Sequence, residues 1–394
     1  MSLKPFKHKG LLEIIYNFTP NWFTLNMGTG ISFLTLFNIR ADLFTGELLF
    51  GQILWFVDMF FFILFSFLFI SRMILYPQTT KLMLNHPIQS MFIGAIPMAM
   101  VPVLEGFIFF GPEFFGHQAI HFALVLWWID VFLSVASGWL IPYLMFTSHK
   151  NHSLESMTAV WLLPIVASEV AATAGGIIAP YYSGATAESI IIISYILWAF
   201  SVPLALGILV ILFLRLVSHK LPNKALAVTS WLTLGPLGTG ALGVLLLGGA
   251  TKATYTSVYL SNISDYLASF GFIVGLLLWG YGMWWYVMAW IITIRFFKQG
   301  LPFNMGWWGF TFPVGVFTAA TFQLWRVTNY TSFEILGLLF SLQLIVFWIL
   351  TFIKTFKGMW SGYLFSAPCL SPETGLPKPE EECEKFAKKK SHTN

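Results

Sequence analysis

The chain is predicted to be an all-α integral membrane protein, with ten transmembrane helices arranged as five repeated helical hairpins around a central pore. Three observations predict this: an apolar composition, ten apolar runs of spanning length whose flanking charges alternate, and a tryptophan that recurs at the interval of one hairpin. Of the 394 residues, 57% are hydrophobic and only 10% are charged, whereas a soluble domain carries roughly 25% charged residues. The 41 Phe and 17 Trp agree with this, because aromatic rings pack against lipid and collect at the headgroup level.

A spanning helix needs about 20 mostly apolar residues. Such runs occupy 20–38, 50–71, 88–109, 118–146, 155–180, 188–214, 225–249, 266–294, 303–323 and 333–356. Helices are expected because open sheets leave backbone groups unpaired in lipid. No short apolar core with a cleavage site follows the basic stretch 1–10, so the first run is expected to stay in the membrane. Lys4, Lys7, Lys9, Arg72, Lys81, Lys150, Arg215, Lys220, Lys224, Arg295 and Lys298 fall on one side of the alternating runs, together with the C-terminal tail. The opposite loops hold only Arg40, Lys252 and Arg326, with the acids Asp42, Glu47, Glu105, Glu113, Glu188, Asp265 and Glu334. Basic residues mark cytoplasmic loops, so both termini are expected in the cytoplasm. The chain then divides into a cytoplasmic segment 1–19, a transmembrane domain 20–357 and a polar tail 358–394. That tail carries Pro377, Pro379, Glu380 to Glu382 and Lys388 to Lys390, a composition expected to be flexible.

The even-numbered runs contain Leu54-Trp55, Leu126-Trp127, Leu197-Trp198 and Leu278-Trp279. The tryptophans stand 72, 71 and 81 residues apart, each interval covering two helices. Successive hairpins therefore share one orientation in the membrane and can close into a ring. No equivalent Trp is assigned to the tenth run, whose membership rests on the segment count. The odd-numbered runs concentrate Gly and Pro: Gly28 and Gly30; Gly94, Pro97 and Pro102; Pro164, Gly175 and Gly176; Gly235, Pro236, Gly238 and Gly240; Gly309, Pro313 and Gly315. Proline kinks a helix and glycine permits close approach, which suits helices lining a cavity. Tight helix packing is the alternative, since small residues are favoured at helix interfaces.

The sequence has no phosphate-binding GxxxxGK[ST] loop and no soluble domain able to hold an ATPase. Ionisable residues at membrane depth are functional candidates. Glu169, inside the fifth run, suits proton binding or ion exclusion as well as a neutral structural role. Asp58 and Asp130 occupy equivalent repeat positions, which favours a structural role, and Glu105 lies near the outer end of the third run. His117 and His121 have the i, i+4 spacing of a metal or haem site. His149 and His152 lie at the other end of that run, so interface histidines are the better reading. Cys369 and Cys383 suffice neither for a disulfide framework nor for a metal site. No metal, cofactor or nucleic-acid partner is expected.

No Lys or Arg lies in the central part of any odd run. An anion there would be held by hydroxyls, freed backbone N–H groups and helix ends. The candidates are Asn26, Thr29, Ser32, Thr173, Thr233, Thr239, Thr311 and Thr318. The residues alone leave open whether the solute is an anion or neutral.

Three segments carry a resemblance: Asn17-Phe-Thr-Pro-Asn-Trp-Phe-Thr-Leu-Asn-Met-Gly-Thr-Gly30, Gly235-Pro-Leu-Gly-Thr-Gly240 and Phe303-Asn-Met-Gly-Trp-Trp-Gly-Phe-Thr-Phe-Pro313. They resemble signature segments of the tellurite-resistance/dicarboxylate transporter family, which includes plant slow anion channels, yeast malate permease and fungal sulfite efflux pumps. The resemblance runs over residues 17–357. It implies five hairpins around a pore, a homotrimer with one pore per subunit, and a gating phenylalanine that maps to Phe312, with Phe310 two residues away. The segment Pro164 to Gly176 and the last two motifs look most like the sulfite efflux branch; Glu169 departs from the apolar or hydroxyl-bearing pattern expected there. The implied function is passage of a small anion across the plasma membrane, sulfite first, C4-dicarboxylates such as malate second, with membrane lipid as the other partner. A membrane redox protein is the reading from another class.

Overall fold

The computed structural model describes residues 10–38, 47–149, 153–254 and 257–370. Lys4, Lys7, Lys9, Arg40, Asp42, Lys150, His152, Cys383 and the rest of the tail from 371 lie outside the described residues. The described residues contain helices and no strand. In chain order these are α1 (Leu11–Asn17), α2 (Phe23–Asn38), α3 (Glu47–Leu75), α4 (Pro77–Asn85), α5 (Ala95–Phe109), α6 (Gly111–Phe115) and α7 (Gln118–Thr147). There follow α8 (Leu163–Ile178), α9 (Gly184–His219), α10 (Leu234–Ala253), α11 (Val258–Phe297), α12 (Phe312–Thr328) and α13 (Thr331–Trp360). Among the described residues, eight helices are long and apolar enough to cross a membrane. These eight count α5, α8 and α10 together with their lead-in 3-10 turns; α2 and α12 are not among them.

Burial sorts the helices into two layers. In α5, α8 and α10, 78–94% of the most apolar stretch is buried, against 22–33% in α3, α7, α9, α11 and α13. The inner layer closes on itself: α2 packs on α5, α5 on α8, α8 on α10, α10 on α12, and α12 on α2. Each outer helix packs on its own hairpin partner and on the next ring helix: α3 on α2 and α5, α7 on α5 and α8, α9 on α8 and α10, α11 on α10 and α12, α13 on α12 and α2. Exposed Phe60, Phe132, Val210, Leu277 and Leu342 lie on that outer layer, as expected of faces solvated by lipid rather than water.

The ring closes tightly because each seam contains a glycine. A Cβ on Gly30 would lie 2.2 Å from Pro102 across the α2–α5 seam, and one on Gly94 2.5 Å from the Leu163 carbonyl at the α5–α8 seam. The others are Gly176 against Leu246 (3.0 Å), Gly238 against the Phe317 backbone (2.8 Å) and Gly315 against Ile31 (2.3 Å). These five glycines thus face neighbouring helices, where they let backbones approach.

Every ring helix also has a lead-in 3-10 turn: Pro20–Trp22, Ser90–Gly94, Ala159–Leu162, Lys224–Thr233 and Met305–Phe310. Among the described residues no such turn leads into α7 or α13. The spacing of these turns follows the hairpin repeat, which was legible in the tryptophans.

Those tryptophans fasten the outer layer to the ring. Trp55 donates its indole N–H to the Val103 carbonyl (3.1 Å), Trp127 to that of Ala171 (2.8 Å) and Trp198 to that of Gly240 (2.8 Å). Trp279 donates to Thr321 Oγ1 (2.9 Å). Contrary to the assignment made from the Leu-Trp pairs, the last outer helix has its own member. Trp348 of α13 donates to Thr29 Oγ1 of α2 (3.1 Å), which joins the fifth hairpin to the first. It is missed because Phe347 replaces the Leu before it, although it follows Trp279 by 69 residues.

Arg72 and Arg215, expected in loops, lie within α3 and α9, where both are buried. Arg72 donates to the Phe18 carbonyl and to Thr79. Residues 361–370, expected in the flexible tail, fold back on the N-terminal region. Phe365 stacks on Trp22 (4.9 Å), the Ala367 N–H donates to Asn17 Oδ1, and Cys369 is buried beside Arg72.

Candidate functional site

Two cavities lie at opposite ends of the ring. One, of about 370 Å³, is lined by the lead-in turns of all five ring helices, through Asn21, Phe92, Val160, Ala225 and Asn304 among others. It narrows into a space of about 40 Å³ walled by Met27, Leu163, Leu232, Gly309 and Pro313. The other, of about 420 Å³, is lined by the C-terminal halves of the same five helices, including Ile31, Glu105, Thr173, Gly176, Leu242 and Arg326. All five helices therefore run in one direction, with their N-termini around the first cavity and their C-termini around the second. Between the two cavities the ring helices carry Met98, Val166, Leu237 and Val316, each almost fully buried.

Parallel alignment has an electrostatic consequence. Each helix carries roughly half a positive charge at its N-terminus and half a negative charge at its C-terminus. Five N-termini converging on one cavity make that end attractive to anions. The opposite cavity has Arg326 in the last turn of α12 to offset five C-termini and Glu105.

The predicted site residues separate into two groups. Thr173, Gly176 and Pro313 line cavities. Asn26 is turned outward, donating to Asp58 Oδ1 (2.9 Å) and to the Asp58 carbonyl (2.8 Å). Thr29 is engaged by Trp348, and Gly28 packs against Thr311 and Trp308. Gly30 and Gly238 lie at ring seams, Gly175 packs on Ser194 and Gly240 on Val202. Pro97 lies within α5, Pro164 in the first turn of α8 and Pro236 in the first turn of α10. Gly235 stands beside them with open space where a Cβ would go. The hydroxyls of Ser32, Thr173, Thr233, Thr239, Thr311 and Thr318 donate to carbonyls three or four residues back in their own helices or lead-in turns. An anion needs donors, so in this state those hydroxyl protons are already committed.

Phe312 begins α12 beside Pro313 of the narrow space and is 5% exposed. Phe310, its rival in the motif, is held in an aromatic cluster with Trp231, Trp307 and Phe347.

Of the buried acids, Glu105 lines the C-terminal cavity, Asp58 and Asp130 stand on outer helices, and Glu169 of the ring faces the outer layer. Glu169 accepts from Ser201 of α9 through Oε2 (3.1 Å), and its Oε1 has no hydrogen-bond partner. Ser201 follows Trp198 by three residues, as Asp58 follows Trp55 and Asp130 follows Trp127. Asp130 is fully buried with neither carboxyl oxygen hydrogen-bonded. The histidines stay apart: His121 pairs with Tyr182 (3.1 Å) and His149 with the Leu84 carbonyl (2.8 Å). Among the described residues no group of three or more His, Cys, Asp or Glu is placed to hold a metal. Sequence reasoning did not single out His86 and Gln89, which line the N-terminal cavity, because His86 precedes the third apolar run and Gln89 stands at its polar start, outside any motif.

Comparison with known proteins agrees with this architecture. Residues 17–356 match the family described as voltage-dependent anion channel. The chain is 40% identical to the sulfite efflux pump of Arthroderma benhamiae, over 86% of this chain and 90% of the relative. It is 29% identical to an uncharacterised transporter of Methanocaldococcus jannaschii, over 89% of this chain and 97% of the relative. With the malic acid transport protein of Schizosaccharomyces pombe it shares 22% identity, over 87% of this chain and 78% of the relative. Apolar helices around an axial pair of cavities, and a match spanning both layers, place the chain in the voltage-dependent anion channel family, as a membrane transporter or channel for anions and not an enzyme.

Proposed function

We propose that the chain carries a small oxyanion out of the cell along the ring axis, with sulfite as the first substrate and malate-like dicarboxylates as the second. The observation that carries this is the axial pair of cavities framed by five parallel helices, wide at both ends and closed between. In this reading all ten long helices lie in the membrane, the shorter α2 and α12 being completed by their lead-in turns. The basic end of the chain faces the cytoplasm, so the N-terminal cavity receives the anion where the helix dipoles attract it. The middle of the path holds no Lys or Arg, which suits conduction because a fixed buried charge would retain the ion. Phe312 acts as the steric gate at the start of α12. The homologous sulfite efflux pumps at 40% identity support sulfite over malate. The protein is placed in the plasma membrane as a homotrimer with one path per subunit.

Flux in proteoliposomes, compared for sulfite, malate, nitrate and chloride, tests the substrate. Sulfite should be carried fastest, and absence of flux for every anion would defeat the proposal. Phe312→Ala should raise sulfite flux; an unchanged rate removes Phe312 from the gate. Glu169, turned to Ser201, is assigned a structural role, so Glu169→Gln should leave the pH profile of flux as it was. Labelling of single cysteines introduced near residue 10 and at Ser366 should occur from the cytoplasmic side only.

A further inference from the structure

A third cavity lies outside the ring, and the transport reading does not use it. It measures about 430 Å³ and is bounded by Leu216, Lys220, Leu221 and Pro222 at the end of α9 and by Arg295, Phe296 and Gln299 at the end of α11. No residue of α2, α5, α8, α10 or α12 contributes to its wall, so it is separate from the axial path.

We propose that this cavity binds the headgroup phosphate of an anionic phospholipid at the basic end of the protein. Its floor is built rather than incidental. Lys220 takes a positive backbone φ (63°), which is uncommon for a residue with a side chain and persists only when its surroundings enforce it. Here Arg215, nearly buried, enforces it: Nη1 donates to the Lys220 carbonyl (2.5 Å), while Nε and Nη2 donate to the Glu155 carbonyl (3.1 and 2.7 Å). Pro222 stiffens the same turn.

The cations on this frame have capacity to spare. The Lys220 ammonium spends one proton on the Val217 carbonyl (2.9 Å) and has three to offer. Among the described residues Arg295 has no ion-pair or hydrogen-bond partner, and its guanidinium matches phosphate oxygens in a planar fork. A basic residue in the last turn of a helix also favours the dipole. Capping alone does not require a rigid cavity between two cations of different helices.

The flanks indicate a lipid rather than a soluble phosphate. Leu214 and Val217 on α9, and Ile294 and Phe297 on α11, are exposed apolar residues beside the cavity. A phospholipid would lay its acyl chains along these faces and its headgroup against the cations. Basic pockets at helix ends on the cytoplasmic face recognise anionic lipids in this manner.

The test is native mass spectrometry of the full-length protein, titrated in detergent with phosphatidylserine or phosphatidylcholine. Wild type should retain phosphatidylserine preferentially, and the Lys220→Gln/Arg295→Gln pair should lose that preference, each charge accounting for about fivefold. Lys252→Gln, which removes one positive charge at the opposite end, should leave it intact. Arg295→Lys should keep most of the preference and checks that loss does not reflect misfolding. Unchanged preference in the double variant would overturn the proposal. Complete displacement of phosphatidylserine by inorganic phosphate would overturn it too, because the site would then be one for free phosphate.

Discussion

At the scale of single residues, five indole N–H groups set how the outer helices meet the ring. Each lies between apolar helices, where an unpaired donor has little water to turn to. Trp127→Phe keeps the ring and removes only the donor to Ala171, so it should cost about 1 kcal/mol. Trp127→Ala, leaving a cavity at a fully buried site, should cost about 3–5 kcal/mol. Unfolding midpoints of the purified variants separate the two. Four of these tryptophans could be read from spacing. Their partners could not, because Val103, Ala171 and Gly240 accept through carbonyls that every residue possesses. Asn26 illustrates the same limit: as a polar residue in an apolar run it read as a lining group, and only its distance to Asp58 shows it facing outward.

At the scale of elements, lead-in turns and glycine seams shape the ring helices. Gly235 and Gly238 share one helix and one motif, yet only Gly238 meets a neighbouring backbone. Gly235→Ala should be tolerated or stabilise the helix by about 0.5–1 kcal/mol. Gly238→Ala should destabilise by about 1–3 kcal/mol through overpacking, again read from unfolding midpoints. The connection between α4 and the lead-in turn of α5 adds a pH dependence. His86 Nδ1 accepts from the N–H groups of Ile88 and Gln89 (both 3.1 Å). Burial, then the nearby His149, lowers its pKa from 6.5. Because the folded state holds the proton less well than the unfolded chain, this connection keeps its stability above pH 6.5 and loses it as pH falls below that value. Hydrogen exchange at Ile88 and Gln89 should quicken over that range beyond the intrinsic pH trend, and His86→Asn should flatten the response.

At the scale of the molecule, the parallel ring gives the two ends different charge. A path of this kind should prefer anions to cations, measured as the reversal potential under a salt gradient across a bilayer. Arg326→Gln removes the cation of the C-terminal cavity, leaving Glu105 and five helix C-termini. Anion flux entering from that end should fall severalfold while flux from the other end changes less. Equal losses in both directions would assign Arg326 to folding instead.

Composition, run length and loop charge belong to the chain itself, so the membrane class, the positions of the helices and the hairpin repeat were all legible in the sequence. Each predicted run corresponds to a helix of the ring or of the outer layer, several with ends extended by a turn or more. The contrast between more and less buried helices has a counterpart in the sequence, because glycine and proline collect where backbones approach. What only the tertiary structure decided is direction: which side of each helix faces the axis, which faces a seam, and which faces lipid. With apolar residues on every side, the sequence pattern of a buried membrane helix has little to orient it. Glu169 turned to Ser201, Asn26 to Asp58 and Trp348 to Thr29 all depend on contacts between distant parts of the chain, and packing alone determined them.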